Sequence, residues 1–150
     1  MRGYWNNPKE SALAFHNGMF RTGDVGYQDS DGSCYILDRL KDMIVTSDEN
    51  VYSGEVEAVI CDHPAVHEAA VFGIPDPQWG EVVAACVVLR PGEALRSDQL
   101  IGYCRRFLAN YKIPRRVEFS EIELPKSGSG KVLKRNLRER CWAHQERLVS

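Results

Sequence analysis

The chain has no apolar run long enough to cross a bilayer, no repeat, no low-complexity segment and no C-x-x-C pair. Nor is either charge in large excess: 19 Lys and Arg stand against 21 Asp and Glu, a net charge of -2. Each absence excludes something. A membrane span needs about 20 consecutive apolar residues, and a secretory leader needs a basic-then-apolar start, so the expectation is a cytoplasmic protein with no membrane span. Nucleic-acid affinity rests on neutralising phosphates, so a near-neutral chain is not expected to take nucleic acid as a partner. The five cysteines, Cys34, Cys61, Cys86, Cys104 and Cys141, are odd in number and widely spaced. They read as reduced, mostly buried thiols rather than a disulfide framework. His63 and His67 have metal-like spacing, but Pro64 between them breaks the helix that spacing would need. They read as turn or surface residues, and no metal site is expected.

What is present is ordinary globular material, 150 residues of which 43% are hydrophobic and 27% charged, enough for a real core. Residues 1–41 are rich in Gly, Asn, Asp and aromatics. Short runs at Phe20-Arg21-Thr22 and Ser33 to Leu37 flank the turn Asp29-Ser30-Asp31-Gly32 and predict a β-hairpin. The stretch is too poor in apolar residues to make its own core and reads as the edge of something larger. Exposed hairpin edges of this kind can also self-associate.

From Lys41 onward the pattern becomes an α/β alternation. Met43 to Thr46 predicts a strand, and Ser53 is placed as the N-cap of a helix to Cys61 with Val56, Val59 and Ile60 on one face. His63-Pro64 ends it. Val66 to Ile74 and Val82 to Leu89 are continuous apolar runs, the mark of central strands covered on both faces, with the turn-rich stretch Pro75 to Gly80 between them. Ser97 is expected to cap a helix to about Asn110, burying Leu100, Cys104, Phe107 and Leu108 and leaving Arg105 and Arg106 solvated. A strand over Arg116 to Ser120 and a helix over Lys134 to about Arg147 complete the order β-α-β-β-α-β-α. The predicted fold is α/β (α+β), a small mixed sheet with about three helices, preceded by the hairpin segment.

Between the last strand and the last helix lies Pro125-Lys126-Ser127-Gly128-Ser129-Gly130-Lys131, a loop of small residues ending in a lysine. A phosphate-cradling P-loop needs Gly, four residues, then Gly-Lys-Ser/Thr. Here Pro125 holds the first glycine position and Val132 the hydroxyl position, so the loop is not one. Taken alone, it reads first as a flexible hinge before the helix.

The loop takes on meaning beside two upstream motifs, Thr22-Gly23-Asp24, and Asp38-Arg39-Leu40-Lys41-Asp42-Met43-Ile44 with Glu49-Asn50-Val51-Tyr52 and Glu55-Val56-Glu57. In this order and separation they resemble the C-terminal end of the AMP-forming acyl-CoA synthetases, in the adenylate-forming superfamily that also holds luciferases and peptide-synthetase adenylation domains. The resemblance runs over nearly the whole chain, from Gly3-Tyr4-Trp5-Asn6 to the last helix.

The resemblance implies roles at matching positions. Asp24 corresponds to a carboxylate that hydrogen-bonds the ribose hydroxyls of ATP, a task suited to an acceptor-only group. Arg39 corresponds to a nucleotide-contacting arginine, and Lys41 to the hinge about which the C-terminal domain turns. Lys131 corresponds to the catalytic lysine that reaches the carboxylate substrate and the α-phosphate, where a compact cation offsets charge building on phosphoryl oxygens. Two half-reactions follow: a carboxylate attacks ATP to give acyl-AMP and pyrophosphate, then the domain turns and CoA thiolate takes the acyl group. ATP/AMP and CoA enter as substrates and Mg²⁺ through an N-terminal region upstream of this chain. The division implied is residues 1–41 as the tail of the large adenylation domain including the hinge, and 42–150 as the mobile C-terminal domain.

One departure stands out. The resemblance places a glycine pair in the CoA-tunnel loop before Glu49-Asn50-Val51-Tyr52, and this chain has Ser47-Asp48. Side chains there are expected to narrow the thiol path, with the Asp48 charge facing an anionic donor. The upstream phosphate loop, adenine pocket and acyl tunnel are not in this sequence, so the expectation is a fragment, inactive alone, with nothing bound and its own N-terminal adenylation domain as partner. Two other readings remain: an adenylation domain of the peptide-synthetase or luciferase-like branch, and a non-catalytic α/β interaction module.

Overall fold

The computed structural model describes residues 1–148; residues 149 and 150, at the end of the second expected domain, lie outside the described residues. The chain forms two compact units, Met1–Lys41 and Asp42–Ser150, and each is taken by itself.

The first unit opens with α1 (Pro8–Leu13), which the sequence reading did not anticipate. Its start is chemically ordinary: the Asn7 Oδ1 accepts the Glu10 N–H at 3.2 Å, and Pro8 enters the first turn. β1 (Phe15–His16) and β2 (Met19–Phe20) make a tight hairpin. β3 (Asp24–Gln28) and β4 (Cys34–Arg39) make a second. The expected turn over residues 29–32 is there, with Asp29 Oδ1 accepting the N–H groups of Asp31 and Ser33 at 3.0 and 2.9 Å. Its first strand, however, is Asp24–Gln28 rather than Phe20 to Thr22. Phe20 is used elsewhere, edge-on against Phe15, whereas Tyr27 stacks on Tyr35 at 5.0 Å across the second hairpin. A bulge at Val25/Gly26 bends the strand. Only glycine fits there, since a Cβ on Gly26 would run into the Tyr35 carbonyl oxygen. No residue of this unit is buried.

The second unit is built on one sheet. β5 (Ile44–Thr46) pairs with β6 (Glu49–Val51), and after α2 (Ser53–Cys61) the long strands β7 (Val66–Asp76) and β8 (Gly80–Leu89) run antiparallel over nearly their whole length. α3 (Ser97–Cys104) leads to β9 (Arg116–Ser120), which joins β8 in parallel, and α4 (Lys134–Leu148) closes the chain. The strand order is β6-β5-β8-β7 with β9 beside β8. This is the small mixed sheet expected, with one helix more in the chain than foreseen.

Alternate residues of β7 and β8 supply two separate cores, the consequence of a two-residue side-chain period. Val66, Val71, Val83, Ala85 and Val87 face α2 and α3, meeting Val56, Ile60, Leu100 and Cys104. Ala70, Phe72, Ile74, Val82, Ala84, Cys86 and Val88 face the other way onto Leu124 and the α4 residues Leu137 and Cys141. Burying one such aliphatic or aromatic side chain is worth about 1.5–3 kcal/mol, so the unbroken apolar runs are explained by a sheet covered on both sides.

Helix ends differ from expectation in a consistent way. Ser53 is not the N-cap of α2; Tyr52 is, without a side-chain cap, and Ser53 is the first helical residue, fully buried. Ser97 likewise sits inside α3, and Arg96 precedes it, its N–H held by the Gln99 side chain at 2.9 Å. α3 ends at Cys104 rather than near Asn110, because the N–H groups of Phe107 and Leu108 both fold back to the Cys104 carbonyl. That early turn buries Leu108 but leaves Phe107 exposed at 58%, against expectation. Arg105 and Arg106 are exposed as foreseen.

All five cysteines are free; Cys86, Cys104 and Cys141 are buried, Cys34 and Cys61 exposed. Burial, with Glu118 close by, pushes the Cys141 thiol up to about 12. His63 belongs to a turn, its Nδ1 accepting the Ala65 N–H at 3.2 Å and its ring edge-on to Tyr103. Among the described residues no helix is long and apolar enough to cross a membrane.

Candidate functional site

In the first unit, Asp24 and Arg39 are paired opposite one another across β3 and β4. The guanidinium Nε lies 2.9 Å from Asp24 Oδ1, with the carboxylate side chain 21% and the arginine 48% exposed. Three further bonds fix the corner. The Thr22 Oγ1 accepts the Asp24 N–H at 3.1 Å, Arg39 Nη1 donates to the Thr22 carbonyl at 3.3 Å, and the Leu40 N–H reaches the Gly23 carbonyl at 2.8 Å. Gly23 carries φ +75°, the left-handed turn that throws Asp24 onto the strand. The two residues named for nucleotide binding therefore share one hairpin and one ion pair. A polyol bound at Asp24 would meet an acceptor already oriented by a cation.

The chain passes between the units at Lys41, inside a single 3-10 turn over Leu40–Asp42. Lys41 is exposed.

In the second unit, the lysine loop has a stem and a tip. Lys126 and Val132 face each other in an isolated antiparallel bridge, and the Leu133 N–H donates to the Pro125 carbonyl at 2.7 Å. Within the tip, the Ser127 N–H reaches the Lys131 carbonyl at 2.8 Å, the Gly130 N–H reaches the Ser127 carbonyl at 2.9 Å, and Ser127 Oγ accepts the Lys131 N–H at 3.2 Å. Gly130 has φ +80°, a value its position in the turn requires and side chains disfavour. The loop thus forms a small hydrogen-bonded turn. Lys131 is exposed, and among the described residues no carboxylate pairs with its ammonium.

Its neighbours in sequence are paired. Lys126 Nζ is 2.9 Å from Glu68 Oε2, and Lys134 Nζ is 2.7 Å from Glu57 Oε1 and 2.7 Å from Ser53 Oγ. Glu68, Glu57 and Ser53 are residues the sequence reading gave no such part. Nothing local marks them, since their partners lie 58, 77 and 81 positions away in the chain.

The turn Ser47-Asp48 joins β5 to β6, and both residues are left-handed, with φ of 47° and 65°. This is the geometry of a two-residue hairpin turn that favours Asn-Gly or Gly-Gly. Ser47, Asp48 and Glu49 are all exposed. The Ser47 N–H donates to the Trp79 carbonyl at 3.1 Å, and the Arg115 guanidinium lies 4.8 Å over the Trp79 ring. So the turn is bonded to the backbone of a residue whose ring carries a cation, a pairing the sequence did not suggest because Trp79 and Arg115 meet only through the sheet.

The two features of this unit are anchored far apart. Glu68, at the foot of the lysine loop, lies near the start of β7, whereas Asp76 at its end pairs with Gly80, which also pairs with Thr46 beside the turn. Asp76 lies eight residue steps beyond Glu68 along the strand, about 26 Å at the usual rise.

The second unit is a mixed sheet covered on both faces with a lysine-tipped loop beside it, and comparison with known proteins gives its family. The AMP-binding enzyme C-terminal domain matches residues 55–131. The chain belongs to that family. It is similar to the long-chain-fatty-acid–CoA ligase FadD13 of Mycobacterium tuberculosis, 49% identical over 95% of this chain and 28% of the relative. Among solved structures it is similar to o-succinylbenzoate CoA synthetase (MenE) from Bacillus subtilis in complex with the acyl-adenylate intermediate OSB-AMP, with a TM-score of 0.86, 40% identity, and coverage of 92% of this chain and 28% of that one. It is similar too to the amide bond synthetase McbA from Marinactinospora thermotolerans, with a TM-score of 0.83, 42% identity, and coverage of 93% and 28%. The chain spans little more than a quarter of the length of the proteins it matches.

Proposed function

We propose that this chain is the C-terminal part of an AMP-forming acyl-CoA ligase, in which Lys131 promotes attack of a carboxylate on ATP and the Ser47 turn serves the transfer of the acyl group to CoA. The observation that carries the reading is Lys131 itself: an exposed ammonium on an ordered loop, with no carboxylate of its own among the described residues. Such a cation is complementary to an anion arriving from outside.

In this reading Asp24 accepts the ribose hydroxyls and Arg39, already bonded to it, holds the carboxylate in place and adds positive charge toward the phosphates. The bond formed is carboxylate oxygen to α-phosphorus, and the bond broken releases pyrophosphate. Lys131 offsets the charge that collects on the α-phosphoryl and carboxylate oxygens. Lys41, at the junction of the units, is the pivot. Turning there withdraws the lysine loop and presents the opposite end of the sheet, where CoA sulfur attacks the acyl carbon and AMP departs. Trp79, whose carbonyl holds that turn, carries the Arg115 guanidinium over its ring, a cation suited to a phosphorylated arm.

The first unit supports a partner domain. With no buried residue and with Trp5, Met19 and Ile36 exposed at 97%, 69% and 72%, it lacks the core that a stable unit needs. We assign its partner as an N-terminal adenylation domain in the same protein; packing between copies is the lesser use of the same edges. Among the described residues no three acidic, histidine or cysteine side chains stand together as a cation site. We assign Mg²⁺ to ATP and that domain. The compartment assigned is the cytoplasm.

A second reading keeps adenylation and changes the acceptor to an amine. It is favoured by one observation, the side chains at Ser47 and Asp48 where the resemblance has glycines. ATP–pyrophosphate exchange by the full-length protein against a panel of carboxylates tests the class. We expect exchange with one group of them, and Asp24→Ala should raise the ATP concentration required by about tenfold or more, the loss of a charged hydrogen-bond acceptor. No exchange with any carboxylate by folded protein would refute the proposal.

A further inference from the structure

Both feet of the lysine loop are gripped by carboxylates along one strand edge. On the incoming foot, Glu68 of β7 accepts the Leu124 N–H at 2.8 Å through Oε1 and the Lys126 ammonium at 2.9 Å through Oε2. On the outgoing foot, Glu57 of α2 accepts the Lys134 ammonium at 2.7 Å, and the same oxygen accepts the Val71 N–H of β7 at 2.8 Å. Ser53 completes that grip at 2.7 Å from Lys134. The four charged side chains are 17–35% exposed, so they are shielded enough to hold a geometry. The stem bridge between Lys126 and Val132 then ties the two feet together.

We infer that Glu68 with Lys126 and Glu57 with Lys134 form a clamp that sets the position of Lys131, making these four residues positioning groups for adenylation. The inference rests on the proposed role of Lys131. Three observations support it. Each carboxylate bonds β7 or is part of it, so both feet take their position from a long strand of the sheet that is buried from Ala70 to Ile74. Each clamp lysine lies within five residues of Lys131. And the clamp pairs both flanking lysines while, among the described residues, no carboxylate pairs with Lys131, so of these three cations one is left for an outside anion. The clamp also closes off a strand edge: the Glu57 oxygen occupies the Val71 N–H that would otherwise be open to another strand.

The consequence is a division of labour that a purely structural ion pair would not show. Misplacing a catalytic group by about 1 Å costs up to about a hundredfold in rate, and only the half-reaction that uses Lys131 should feel it. The test uses the full-length ligase with Glu68→Ala, Lys126→Ala, the double variant, Glu57→Ala and Lys131→Ala, each measured for acyl-AMP formation and for thioester formation from supplied acyl-AMP. We expect the clamp variants to slow the first step about tenfold to a hundredfold at saturating ATP, with the second step unchanged. The Glu68/Lys126 double variant should be no slower than the worse single one. Glu68→Gln, which keeps an acceptor for the Leu124 N–H, should recover part of the rate.

If Glu57→Ala fails to fold, Lys134→Met, which keeps the stem length and removes the charge, gives the same readout. Equal slowing of both half-reactions, or independent effects in the double variant, would overturn the clamp. Normal adenylation in the clamp variants with Lys131→Ala inactive would overturn it while leaving the function intact. Normal adenylation in Lys131→Ala would instead overturn the function on which it rests.

Discussion

Ser47 donates its backbone N–H to the Trp79 carbonyl at 3.1 Å, so the tip of the β5–β6 hairpin is pinned to the turn between β7 and β8. The bond holds Ser47 and Asp48 in left-handed conformations that side chains tolerate poorly, with φ of 47° and 65°. A glycine pair would adopt the same turn without that cost. Where the resemblance implies a glycine pair, this chain thus sets two side chains on a backbone turn that glycine adopts freely.

Ser47→Gly should therefore leave the fold and the adenylation rate as they are and speed thioester formation from bound acyl-AMP. Local stability should change by no more than about 1 kcal/mol, since relief of the positive φ opposes the added freedom of the unfolded chain. Stopped-flow measurement of the thioester step decides it. A slower step would mean the serine hydroxyl takes part, and the steric view of this turn would be wrong.

Lys41→Pro bears on the pivot. Proline fixes φ near -65°, and at a position that must change dihedral between two domain orientations it should spare one half-reaction and stop the other. Adenylation is the one expected to persist. Unchanged overall turnover would remove Lys41 from the hinge.

Glu68 gives a pH signature. Burial pushes its carboxyl up, but the Leu124 N–H and the Lys126 ammonium outweigh that and hold it below its ordinary value. A depressed acid stabilises the fold above its unfolded pKa and loses that contribution as pH falls through the folded one. Wild type should thus exceed Glu68→Gln in stability by about 1 kcal/mol near neutral pH, and the gap should close below the ordinary carboxylate range near pH 4. Melting curves of both proteins across pH 3–7 show this, and a gap independent of pH would contradict it.

Much of this architecture is legible in the chain. Val66 to Ile74 and Val82 to Leu89 read as central strands because doubly covered strands carry no polar face, and both are found there. Less legible were features decided by distant contact. Asp24–Gln28 does not read as a strand because its alternation is interrupted at Gly26, where the bulge lies. Glu49–Val51 is too short to show a period and is legible only as part of a motif. Ser53 and Ser97 looked like caps by type, but the Ser53 hydroxyl is taken by Lys134 and that of Ser97 reaches the Val117 carbonyl at 3.4 Å. At the site, the motifs pointed to Asp24, Arg39 and Lys131. What they could not carry was the support: Arg39 on Asp24, and the two carboxylates under the lysine loop, are pairings made by the sheet.

The central claim is that Lys131 serves the first half-reaction and not the second. Rapid-quench measurement of acyl-AMP formation in full-length Lys131→Ala, beside thioester formation from supplied acyl-AMP, tests it most directly. One aimed charge at a developing oxyanion is worth about 3 kcal/mol or more, so the account predicts acyl-AMP formation slowed by at least about a hundredfold and thioester formation at the wild-type rate. Equal loss in both steps, or no loss in the first, would contradict it.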